Sequence, residues 1–231
     1  MSLSREDRFK ELGLWPVWRQ REAPAQPGSK QEAGQTMDAL AGMGLDELRE
    51  AVRSCTRCEL HKTRKQGVFG VGDANADWLI VGEAPGADED RQGEPFVGQA
   101  GKLLDAMLAA IGLQRGRDVY IANVLKSRPP GNRDPKPDEV AACLPYLERQ
   151  IELIRPKLIV ALGRFAAQSL LLTDTPISRL RGKLHEYHGV PLVVTYHPAY
   201  LLRNQADKAR AWEDLLLAVA TMRGLQADDK G

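Results

Sequence analysis

The chain has 231 residues, 43% hydrophobic and 27% charged, with 32 basic against 31 acidic side chains and a formal net charge of +1. No apolar run approaches the roughly 18 to 20 residues of a membrane-spanning helix, and three cysteines in a chain this long argue against a disulfide-stapled scaffold and for a reducing compartment. The charge balance excludes a global basic field and the sequence-blind nucleic-acid coat that goes with it, while leaving local basic patches open.

In chain order, the amino-terminal stretch Met1–Glu22 mixes both charge signs and lacks the apolar centre of a secretory signal, which predicts a cytoplasmic protein. Ser4 and Gly13 bracket a short helix over Arg5–Leu12, and Glu22–Thr36 has linker composition, rich in Pro, Gly, Gln and Ala without an apolar period. Residues 1–37 are therefore expected to form an extension and linker, 38–225 the folded domain and 226–231 a tail. Within the domain, Leu45, Leu48 and Val52 follow helical spacing over Leu45–Cys55. Four short runs, Trp78–Val81, Val119–Leu125, Leu158–Leu162 and Leu192–Tyr196, are rich in Val, Ile and Leu without polar alternation, as expected of parallel strands covered on both faces. Helical patterns over Gly98–Ile111, Pro137–Ile154, Arg164–Leu172 and Asp207–Met222 fill the intervals and close the chain. Strands alternating with helices predict an open, mostly parallel α/β sheet built from right-handed crossovers.

Ligands of such sheets bind outside the carboxyl ends of the strands, so the residues following each strand carry the functional argument. They are GEAPG (Gly82–Gly86), Asn123 with KSRPPGNRDP behind it, Gly163, and HPAYLLR (His197–Arg203). GEAPG can turn backbone N–H groups into the crevice, although an ordinary strand-to-helix turn has the same composition. Phe96, in PFVGQAG, is either a core ring or a stacking surface. Asn123 stands in an otherwise apolar strand and must satisfy its amide, either by pinning a loop or by reading a ligand's edge. His197, held extended by the following proline, is a candidate electrophile or acid. Leu201 and Leu202 suit either a core or a wedge entering a base stack. Two basic loops, Lys126–Lys136 with Arg128 and Arg133, and Arg179–Lys183 with Arg181 and Lys183, offer phosphate contacts or a plain solvated face. Cys55 and Cys58 have metal-ligand spacing, with Cys143 distant and His61 at C-x2-C-x2-H, so an iron–sulfur site, a zinc Cys3His site and no metal at all are each open.

Taken together, CTRCELHKTRKQGVFGVG, VGEAPGADEDRQGEPFVGQAG, YIANVLKSRPPGNRDP, the Cys143 segment and TYHPAYLLR resemble the family-four uracil-DNA glycosylases, in order over about residues 45–222. The resemblance implies a three-layer α/β/α sandwich, uracil-containing DNA, single- or double-stranded, as substrate, hydrolysis of the N-glycosidic bond to leave an abasic site, and a structural [4Fe-4S] cluster without a nucleotide cofactor. By the same resemblance Glu83 and Ala84 border the uracil, Phe96 stacks on it, Asn123 bonds its polar edge and His197 faces its O2. His197 is the expected catalytic electrophile, with Glu83 and Glu89 as the carboxylates beside the attacking water in a limited catalytic role; Arg128, Arg133, Arg181, Lys183, Leu201, Leu202 and Arg203 are expected to face the DNA, and the resemblance makes Cys55, Cys58 and Cys143 cluster ligands. Ser127 departs from the family pattern, which has Cys there. A monomer is expected. The rival reading is a non-catalytic DNA-binding or replication-partner module on the same fold, with LGLWPVW (Leu12–Trp18) as a docking peptide or a packed extension.

Overall fold

A computed structural model describes residues 39–228. The expectations for residues 1–37, including the Arg5–Leu12 helix and the LGLWPVW segment, lie outside the described residues. The sheet has six strands in the order β1-β3-β2-β4-β6-β5. Its centre is the parallel set predicted from the apolar runs: β2 (Trp78–Gly82), β3 (Val119–Asn123), β4 (Leu158–Leu162) and β6 (Val190–Thr195). Two antiparallel edge strands, β1 (Val71–Gly72) and β5 (Leu184–Tyr187), flank it. Neither is visible in the sequence, because one has two residues and the other has exposed Leu184 and Glu186.

Alternation along the strands divides the core between two layers. Leu79, Val81, Ile159, Ala161, Leu192 and Val194 pack under α1 (Leu45–Arg53), α4 (Pro137–Ile154) and α5 (Arg164–Leu171). Trp78, Ile80, Leu158, Val160 and Val193 face the other way, onto α3 (Gln99–Ala110) and the last helix, α8 (Lys208–Asp228). A sheet buried on both faces requires this arrangement, and the three-layer α/β/α architecture follows. Three short helices escape periodicity for want of length: α2 (Ala87–Gln92), α6 (Ile177–Leu180) and α7 (Pro198–Arg203).

Helix ends are set locally. Glu139 closes the start of α4 by accepting the Lys136 N–H at 2.9 Å, and Pro137 at the first position lacks only an N–H that would have no helical partner. Beyond β3, Val124 and Leu125 donate to the carbonyls of Gly82 and Glu83, both at 2.9 Å, which draws the GEAPG turn against the end of β3. No described helix is long and apolar enough to cross a membrane.

Candidate active site

A cavity of about 470 Å³ opens at the carboxyl ends of β2, β3, β4 and β6, and Glu83, Ala84, Phe96, Asn123 and His197 all line it. Gly82 makes this convergence possible. A Cβ there would stand 2.3 Å from Asn123 Oδ1 and 2.5 Å from the Phe96 ring, closer than any side chain tolerates. Asn123 is 2% exposed, and its Oδ1 is buried without a hydrogen-bond partner. Leaving such an acceptor unmet costs about 1 to 3 kcal/mol, a cost that a ligand's N–H would remove.

Phe96 has φ 56°, an outlier for a bulky residue, and several contacts impose it. Arg115 donates to the carbonyls of Pro95 and Phe96 at 2.9 and 2.8 Å and to Asp105 at 3.0 Å. Gly101 leaves room for the Phe96 carbonyl, which a Cβ would meet at 1.8 Å. Glu89, expected beside the reacting atoms, instead accepts the N–H groups of Val97 and Gly98 at 3.0 and 3.1 Å. It lines the cavity, but its carboxylate anchors the loop that carries Phe96.

His197 caps α7, its Nδ1 accepting the Ala199 N–H at 3.1 Å. That bond assigns the remaining ring proton to Nε2. Its ring stacks on Phe96 with centroids 5.4 Å apart. Burial, reinforced by the Arg203 charge and opposed by Glu89, pushes the imidazole down to about 4, so it is neutral at physiological pH. Gly163, at φ 89°, keeps β4 off the His197 Cβ. Glu83 is pushed up to about 7 by burial, with Asp134 adding to the shift and Arg164 opposing it.

The basic and apolar residues expected to face DNA separate into two groups. Arg203 lines the cavity and is exposed, Lys183 and Leu202 are exposed, and Arg128 bonds Asn132 of the cavity rim at 2.7 Å. Leu201 is 1% exposed, packed among Tyr196 and Ala211, because the buried face of the six-residue α7 points it inward; only Leu202 fits a wedge. Arg181 is turned into the fold, its Nε on the buried Asp214 at 3.0 Å. Arg133 lines the cavity with its guanidinium forked onto Glu139 at 2.9 and 2.5 Å. Lys126 is buried, its ammonium on the Asn123 carbonyl at 2.8 Å and Gln150 Oε1 at 2.6 Å, so it braces the strand that carries Asn123. Tyr200, expected with Leu201 and Leu202 at the lip of the site, lines the cavity; sequence reasoning missed Arg164, Phe165 and Tyr196, which also line it, and Gly163 after the third predicted strand was the only sequence signal near the first two.

The cysteines lie apart from this cavity. Cys143 is buried, its Sγ accepting the Lys126 N–H at 3.4 Å, with Cys58 packed against the same small apolar cluster and Cys55 against the main core. Ser127 Oγ accepts from Arg64 at 2.7 Å, while the same guanidinium donates to the carbonyls of Arg53 and Cys55 at 3.0 and 2.8 Å. Among the described residues, no three His, Cys, Asp or Glu side chains are gathered to hold one metal ion. For a four-cornered iron–sulfur cluster the donor chemistry fits at three corners and not at the fourth, where a neutral hydroxyl replaces a soft thiolate.

Residues 69–216 match the family described as the uracil DNA glycosylase superfamily. A type-4 uracil-DNA glycosylase of Archaeoglobus fulgidus is 55% identical over 166 residues, covering 68% of this chain and 83% of the relative. Similar enzymes of Pyrobaculum aerophilum and Thermotoga maritima are each 44% identical, over 76% and 72% of this chain and 93% and 87% of their own lengths.

The His197 geometry is testable without a substrate. A ring-nitrogen NMR titration is expected to find it neutral, protonated on Nε2, from pH 5 to 8 with a midpoint near 4. A midpoint at or above the ordinary 6.5 would contradict the burial argument.

Proposed function

The chain belongs to the uracil-DNA glycosylase superfamily, and we propose that its crevice takes up a uracil extruded from DNA and breaks the bond between N1 of the base and C1′ of the sugar. The enzyme is a glycosidase of base-excision repair whose substrate is uracil-containing DNA. The observation that best supports the residue assignment is the partnerless, buried Asn123 Oδ1 inside the cavity. Uracil presents an N3–H and a C4 carbonyl, the complement of an amide with its oxygen toward N3 and its nitrogen toward O4. Cytosine presents a bare N3 and an amine, so both contacts fail, at about 1 to 3 kcal/mol each. Phe96 covers one face of the base, and Ala84 leaves room beside it.

As the C1′–N1 bond breaks, its electron pair departs with uracil, and the negative charge spreads onto O2. His197 donates its Nε2 proton to that oxygen as a hydrogen bond. A neutral imidazole suits this role because the Ala199 N–H already orients it, and a donor fixed before charge develops is worth about 3 to 4 kcal/mol. Water adds to the cationic sugar carbon, and its proton passes to Glu83, whose carboxylate is half ionised near pH 7. The sugar is electron-poor enough to need little activation of the water, so Glu83 has the smaller part. Glu89 acts as a positioning residue for Phe96.

Extrusion costs a few kcal/mol when the base is paired. Leu202 fills the space left behind, with Arg203, Arg128 and Lys183 on nearby phosphates. The free cysteines fit a reducing cytoplasm. The type-4 relatives are consistent with an iron–sulfur cluster, which we assign to Cys55, Cys58 and Cys143 with Ser127 at the fourth corner. Such a group would tie the Cys55–Cys58 segment to α4 and takes no part in bond cleavage.

Three outcomes test these assignments. On a single-stranded oligonucleotide with one deoxyuridine, Asn123→Asp should release uracil about 10- to 100-fold more slowly, with cytosine release rising relative to it; unchanged selectivity would remove Asn123 from base reading. The pH profile of kcat/KM should rise through about pH 7 as Glu83 ionises and level off above it. Glu83→Gln should lower the plateau and abolish the inflection, and an inflection that survives belongs to another group. Finally, Ser127→Cys should retain iron and visible absorbance under a chelator for longer than the wild type; equal loss would show that the hydroxyl is not the weak corner.

A further inference from the structure

One aromatic ring at the crevice has no structural employment. Phe165 joins none of the apolar clusters among the described residues, although its neighbours Ala166, Ala167 and Leu170 are fully committed to the core. It is partly exposed and lines the cavity. Folding alone offers a weak reason to place a Phe there, since an aromatic side chain gains by burying its large apolar surface. The Arg164 guanidinium stands 4.2 Å from the centre of the Phe165 ring and also lines the cavity. Its contact with Asp134, at 3.3 Å, joins two side chains that are 52% and 72% exposed, a pairing weak enough to yield to a phosphate.

The placement is central. Arg164 and Phe165 begin α5 immediately after β4, which lies between β2 and β6 in the sheet. They therefore stand between the GEAPG turn and His197. Gly163 packs on the His197 side chain, and the Arg164 charge reaches Glu83. A flat ring and a flat guanidinium beside the reacting groups are surfaces on which nucleobases stack. Asn123, Phe96 and His197 already account for the extruded base itself.

We propose that Phe165, with Arg164 over its ring, is a second base subsite that stacks the nucleobase adjacent to the extruded uridine, with Arg164 also meeting the intervening phosphate. This rests on the glycosylase reading above. The subsite recognises any base, because every base has a π-face, and it favours single strands, where the neighbouring base is free to leave its own stack.

The test couples a protein change to a DNA change. KM for uracil release is measured on single-stranded oligonucleotides with one deoxyuridine, intact or with the 5′ or the 3′ neighbour replaced by an abasic tetrahydrofuran residue. Removing one of those neighbours should raise the wild-type KM about tenfold, the size expected for one stacked base. Phe165→Ala should show the same rise on the intact strand and no further rise when that neighbour is removed, while Phe165→Trp should keep the wild-type pattern. The proposal is overturned if the wild type is indifferent to both neighbours, or if Phe165→Ala remains as sensitive to them as the wild type. Wild-type uracil release in the same assay reports separately on the glycosylase reading. Should Phe165→Ala fail to fold, the wild-type neighbour dependence and the Trp variant still decide the matter.

Discussion

The site depends on the absence of one carbon atom. Without a Cβ on Gly82, the Asn123 amide and the Phe96 ring come to within 2.3 to 2.5 Å of where that atom would lie. The groups proposed to read and to stack the base thereby meet over the end of β2. Phe96 reaches this point only by adopting a left-handed backbone, which costs of the order of 1 to 3 kcal/mol and persists only where the surroundings over-determine it. Arg115, Gly101 and Glu89 supply that constraint from three different segments. Their job is geometric, which explains why a carboxylate lining the cavity, Glu89, is taken up by two backbone N–H groups and leaves proton chemistry to its neighbours.

Electrostatics then divides the titratable groups. His197 and Glu83 stand in the same cavity, and desolvation moves each toward its uncharged form: the imidazole down to about 4 and the carboxyl up to about 7. The shift fixes His197 as a neutral donor over the whole physiological range and leaves Glu83 responsive within it. Arg164 opposes the rise at Glu83, so the residue proposed to meet DNA also influences the ionisation of the carboxylate. Bound phosphate would weaken that opposition, so substrate itself would favour the protonated acid, consistent with a minor role for general-base chemistry in a reaction whose sugar is already electron-poor.

Much of this is legible in the sequence, for identifiable reasons. The four central strands are apolar on both faces, and a run such as LIVAL has no other stable destination in a chain without a long apolar span. GEAPG, Asn123 and His197 each follow or end such a strand, so topology alone puts them together. What stays hidden depends on contacts between distant segments. Leu201 and Leu202 are adjacent and chemically identical, yet one is 1% and the other 39% exposed, which only the packing of α7 against α3 and α8 decides. Arg181 and Lys183 belong to one basic loop, but the buried Asp214 of α8 captures the first. Lys126 reads in the sequence as one more charge of a basic loop, and the structure places it beneath Asn123 among carbonyl and amide oxygens. Basic residues in a run carry no mark of which will find a partner inside.

The cysteine locus and the crevice meet in the segment after β3. Asn123 ends that strand, Lys126 braces its carbonyl from below, and Ser127 follows at once, held by the Arg64 guanidinium that also grips the carbonyls of Arg53 and Cys55. Strain at the cysteines would therefore reach the Asn123 amide through only a short stretch of chain. Arg64 ties the Arg53 and Cys55 carbonyls to Ser127 with its hydrogen bonds, two of the three segments that a cluster would link, and so holds the loop where Ser127 replaces the expected thiolate. Lys126 belongs to both loci: its ammonium holds the Asn123 carbonyl and Gln150 Oε1, while its backbone N–H meets Cys143 Sγ at 3.4 Å.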